Sequence, residues 1–157
     1  MTFSISHLSD LCRDFCQEFD AIAHKADHFL AQFHTEDRVR FSDEEAIKKS
    51  YLAPYGAFLT SLLATLEKTD ALGIRLSAIL IGTDSPETIE YQAKIDVLWH
   101  AYEQYRACVC QYCENTQKYW TDKHALATQG TAPLVSATRS LIAALHRTNE
   151  AFLLHIK

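Results

Sequence analysis

Apolar residues recur along this chain at three- and four-residue steps, the spacing that gathers side chains on one face of an α-helix. From about Ser9 to His34 the stripe comprises Leu8, Leu11, Phe15, Phe19, Ile22, Ala26, Phe29, Leu30 and Phe33. Asp10, Asp14, Gln17, Asp20, His24, Asp27 and His28 take the remaining surface. A polar stretch, 35–40, follows, and Ser42-Asp-Glu-Glu45 reads as a capping box that opens a second helix. Ile47, Tyr51, Tyr55, Phe58, Leu62, Leu66, Leu76 and Leu80 keep one helical phase across Pro54, which predicts a kinked helix over about 43–81. A true break at Leu72-Gly73 is the alternative. Gly73 falls on the buried face, where it suits close approach of a neighbouring helix.

Gly82-Thr-Asp-Ser85 is a tight connection, with Ser85 as cap and Pro86 at the first helical position. The third segment, about 86–127, carries a heptad. Tyr91, Leu98, Tyr105, Tyr112 and Tyr119 stand seven apart, as do Ile95, Tyr102, Val109 and Thr116. Gln129-Gly-Thr-Ala-Pro133 ends that helix, and Leu134, Thr138, Leu141, Leu145, Thr148, Phe152 and Ile156 form the stripe of the last, about 133–157. The pattern predicts an all-α fold: an up-down helical bundle of four main helices, two long central ones and two shorter flanking ones, in a single domain covering 1–157.

Composition narrows the functional classes. Only 4 Gly and 3 Pro among 157 residues argue against a turn-rich β-sandwich and leave no material for a glycine-rich phosphate cradle. A net charge of −5 with scattered basic residues argues against nucleic acid and acidic membranes as partners. No apolar run approaches the ~20 residues of a membrane span, and the first ten residues lack the pattern of a secretory signal. The expectation is a cytoplasmic protein whose five cysteines are reduced and inert.

Two ladders have the residue types for metal. Asp20, His24 and His28 follow one another at four-residue steps, and Asp96, His100 and Glu103 form a shorter set. Both point away from the apolar stripes, so solvated faces are expected rather than a metal centre. Cys12 and Cys16 on one helix, with Cys108, Cys110 and Cys113 on another, offer thiolates for a soft ion. Cysteine is equally often buried for packing alone, and no cofactor is expected.

Arg139-Ser-Leu-Ile-Ala-Ala-Leu-His146 resembles the Arg-x4-6-His motif of the HEPN ribonucleases, carried on a late helix of small, usually dimeric all-α bundles. The resemblance covers these eight residues and the general architecture. Ser140 stands where that family commonly has Asn, Asp or His. The likeness implies RNA cleavage in a dimer cleft, with Arg139 and His146 meeting one phosphate and acting on a 2′-hydroxyl.

The preferred expectation is a non-enzymatic interaction module that self-associates and binds a partner protein. The seven aromatics between Tyr91 and Trp120 form an unusual seam, since a buried Tyr needs a partner for its hydroxyl; a half-buried interface would supply one. Helices of roughly 25 residues flanking a central pair of roughly 40 would leave the hairpin tip uncovered over ~20 Å. Leu72, Ile74, Ile79, Ile81, Ile89, Tyr91, Ile95 and Trp99 are the expected contact surface of a homo-oligomer built through that tip.

Overall fold

The computed structural model describes residues 5–34, 52–81, 86–122 and 132–154, with side chains described at 7–31, 52–78, 92–122 and 132–154. Four helices account for nearly all of them: α1 (Ile5–His34), α2 (Ala53–Ile81), α3 (Pro86–Thr121) and α4 (Ala132–Leu153). No strand occurs among the described residues. Each helix packs against its neighbours in sequence, and α4 closes the square against α1, leaving α2 and α4 on a diagonal. Directions alternate. Phe29 meets Phe58 at one end of the α1–α2 pair, while Asp14 meets Arg75 at the other. Tyr55 pairs with Thr116 and Asp70 with Tyr102 between α2 and α3, so that pair is antiparallel too. The all-α up-down bundle expected from periodicity is the observed architecture.

The predicted stripes become the core. Phe15, Phe19 and Phe152 form its centre, with ring centroids 4.5 to 5.8 Å apart, and Phe19 meets the edge of Tyr105 at 4.9 Å. Such offset and edge-on pairs add to the area they bury, because ring edges are positive and ring faces negative. Leu11, Ile22, Leu62, Leu98 and Leu141 fill around them.

Helix lengths differ from the expected pattern. α1 has 30 residues, α2 29, α3 36 and α4 22. Thus α1 begins four residues earlier than its periodicity suggested. The expected capping box and the stretch 43–51 lie outside the described residues. Within them Pro54 occupies the first turn of α2, where its missing N–H removes no intrahelical bond. There is no break at Gly73: α2 runs through it.

The hairpin tip differs as well. Leu8 and Leu11 are buried, and Leu76 and Ile95 are fully buried with them in one cluster. Ile95, placed by sequence on the contact surface, is therefore a core residue. Leu8 and Leu11, the first residues of the apolar stripe of α1, belong to the same buried cluster as Leu76 and Ile95.

Candidate functional site

The tyrosine seam turns inward. Tyr102, Tyr105, Tyr112 and Tyr119 are buried within the chain itself. The hydroxyls of Tyr102 and Tyr112 find partners on other helices, while those of Tyr105 and Tyr119 are buried without a hydrogen bond. Thr116 donates to the Tyr112 carbonyl at 2.7 Å, which leaves the Tyr55 hydroxyl as donor in its 2.7 Å bond to Thr116. Thr138 likewise donates to the Leu134 carbonyl at 2.7 Å and accepts from Tyr112 at 3.1 Å. Each threonine occupies its own proton in its helix and offers its lone pairs across the interface, so each pair fixes the register of two helices. The Tyr102 hydroxyl donates to Asp70, which also holds Arg106 Nε at 3.3 Å. Tyr105 ends beside Thr69 without a well-aligned bond. Burial pushes all these phenols up, and at Tyr102 the Asp70 carboxylate adds to it.

The two metal ladders are not assembled. Asp20 is drawn toward α4, where Asn149 Nδ2 donates to it at 3.0 Å. His24 and His28 instead flank a groove between α1 and α2. Asp96, His100 and Glu103 are exposed along α3. Among the described residues no group of three His, Cys, Asp or Glu side chains is placed to hold a metal ion. The five cysteines are free thiols: Cys12 and Cys16 are buried, Cys108 and Cys113 half-buried, and Cys110 exposed. Burial, with Cys16 beside it, pushes the Cys12 thiol up to about 12; burial, with Asp20 nearby, takes Cys16 to about 11. Cys113 rises to about 11 by burial and the neighbouring Cys110. High thiol pKa values mean little thiolate at neutral pH, hence weak nucleophiles and weak metal ligands.

Arg139 and His146 are both exposed on the outward line of α4, two turns apart, or roughly 10 Å along the axis. One groove reaches Arg139 with Val135, Ser136 and Ser140; His146 stands outside it. Within one chain the two side chains are not brought together.

Of the expected contact surface, Leu72 and Trp99 are half-buried, and the Trp99 ring packs on Tyr102 at 5.5 Å. The side chains of Ile79, Ile81, Ile89 and Tyr91 lie outside those described. Ile74 is 70% exposed. It has companions that the tip-centred reading missed: Leu63 is 46% and Leu52 38% exposed. The three stand eleven residues apart, about three helical turns with a drift of only ~20° per step, so they draw one line along α2. That spacing was legible in the sequence as a second, sparser period beside the core stripe. The line runs on the α3 side of α2, away from α1.

Among the described residues no helix is long and apolar enough to cross a membrane. Compared with protein-family models, curated proteins and solved structures, the chain matches none of them.

Proposed function

We propose that this chain is a non-enzymatic helical-bundle interaction module that self-associates and binds a partner protein through aliphatic helix surface. The observation that carries the reading is the line of Leu52, Leu63 and Ile74. Isolated exposed leucines are ordinary on soluble proteins, but three on one line, ~16 Å apart with Glu67 and Asp70 between the last two, make an interrupted apolar strip. A second copy of the same helix, antiparallel across a two-fold axis, presents the same strip to it; a partner's amphipathic helix would use the same chemistry. The interior supports the reading from the other side. It is filled with aromatic rings, and the hydroxyls of Tyr55, Tyr102 and Tyr112 bond from helix to helix. Five free thiols fit a reducing, cytoplasmic setting.

The ribonuclease reading would need Arg139 and His146 at a symmetric cleft. α4 lies diagonal to α2, so a dimer through the α2 strip puts both residues at the far corners of the assembly. The test is sedimentation velocity on the full chain at micromolar concentration. A dimer is expected, converted to monomer by Leu63→Asp or Ile74→Asp with helicity unchanged. A monomer in the unsubstituted protein, or a dimer indifferent to both substitutions, overturns the reading. RNA cleavage by the wild type that His146→Ala abolishes would favour the ribonuclease instead.

A further inference from the structure

The groove between α1 and α2 combines two features that seldom coincide on a solvated helix face. Its floor is almost wholly apolar. Phe29 and Phe58 lie parallel there, 5° between planes and 5.0 Å between centroids, with Pro54 and Ala57 beside them. Its rim carries His24, Lys25 and His28, successive outward positions of α1, opposite Ser61 of α2. Among the described residues no carboxylate lines it. The acidic member of the ladder, Asp20, is turned toward Asn149 on α4, and Asp27, exposed beside His28, does not line the groove. On a chain of net charge −5, this is a local cluster of donors over an aromatic bed.

We propose that this groove binds a small organic carboxylate with an apolar body. The volume of about 330 Å³ sits at the lower end of ligand sites, which run from ~300 to ~1,000 Å³. A bicyclic or short-chain body fits that space; a drug-sized one does not. The apolar body would release water from Pro54, Ala57 and the ring edges of Phe29 and Phe58. The carboxylate would accept from Lys25 Nζ and from imidazole N–H groups of His24 and His28. Lys25 is poised for exchange, because its present acceptor, Ser61 Oγ, is distant at 3.4 Å and neutral. An inorganic anion would gain nothing from the floor, and a neutral hydrophobe would forgo the three donors. The groove is on the α1 side of α2 and the Leu63/Ile74 line on the α3 side, so this inference stands or falls apart from the interaction reading.

The test titrates 2-naphthoate into the full chain. Binding is followed by calorimetry and by the imidazole Cε1–Hε1 cross-peaks of the histidines. Saturation at one ligand per chain is expected, with the His24 and His28 peaks moving together while His100 and His146 stay in place. Lys25→Met should weaken binding about tenfold, the scale of one charge-assisted hydrogen bond. Ala57→Leu, which fills the groove from an exposed position, should abolish it. Circular dichroism checks that both variants keep the helical fold. Equal affinity for 2-naphthamide would reduce the site to a hydrophobic patch, and equal response to inorganic phosphate would reduce it to a surface charge cluster. Either result, or a titration that never saturates, overturns the proposal without reference to the variants.

Discussion

Gly73 shows how a single missing methyl group sets a helix contact. A Cβ built there would stand 2.7 Å from Cε1 and 2.8 Å from Cζ of Tyr102, closer than carbon atoms tolerate. The ring cannot simply swing away, since it is buried and its hydroxyl is engaged by Asp70 one turn earlier on α2. Two effects therefore compete in Gly73→Ala. Helix propensity gains about 1 kcal/mol. Displacing the ring forfeits the hydrogen bond to a charged acceptor, about 1.5–3 kcal/mol, together with ring packing. A net loss of roughly 1–2 kcal/mol is expected from urea denaturation, with the loss removed in the Tyr102→Leu background, where no ring stands over the glycine. A stabilised Gly73→Ala variant would show that Tyr102 yields freely. Read in the sequence, Gly73 could be assigned to the buried face but not to a particular partner, because the contact joins residues 29 positions apart.

At the scale of helices, apolar burial sets α1 against α2, the tyrosine–threonine pairs add register between α2 and α3 and between α3 and α4, and the charges contribute little. Lys68–Glu18 and Arg75–Asp14 bridge α1 and α2, each at 3.9 Å, exposed on all sides but for a half-buried Glu18. Exposed pairs of that kind contribute about 0–1 kcal/mol and are screened by salt. Raising the salt from low to molar chloride should shift the thermal midpoint by no more than a few degrees; a collapse of the midpoint would show that the pairs carry the α1–α2 interface. By contrast Tyr112→Phe, which removes one buried donor to Thr138, should cost about 1 kcal/mol whatever the salt. The heptad of α3 was plain in the sequence, yet its aromatic character pointed outward to an interface. The groups that satisfy Tyr112 and Tyr102, Thr138 of α4 and Asp70 of α2, are on other helices, and nothing in the sequence marks them as their partners.

The whole molecule stores its titratable groups unevenly, with thiols and phenols inside. Burial raises Cys12 to about 12 and Cys16 and Cys113 to about 11, and raises the buried tyrosines above their ordinary value. In the unfolded chain the same groups ionise near their free values, ~8.5 for Cys and ~10 for Tyr. Above those values the unfolded state binds fewer protons than the native state, so stability falls as pH rises. Below them both states are protonated and this contribution is complete. The urea midpoint should hold level up to about pH 8 and drop between about pH 9 and 11, and Cys12→Ala should make the drop shallower even as it lowers the starting level. A midpoint flat through that range would contradict the burial of these groups.

The sequence by itself determined the helices, their number and the residues of the core, because helical periodicity is a local property: the side chains that share a face are three and four residues apart. It also marked Gly73 and the outward-facing His24 and His28 of α1. Tertiary structure alone decided what those residues face. Ile95, expected on the contact surface, is core, in one cluster with Leu8, Leu11 and Leu76 from other helices. The Asp20, His24 and His28 ladder was divided because α1 sits between two neighbours, one drawing Asp20 and the other presenting Phe58 beneath the imidazoles. Which helix stands opposite which is fixed by packing between distant segments, and a pattern read along one helix contains its own faces but not its neighbours.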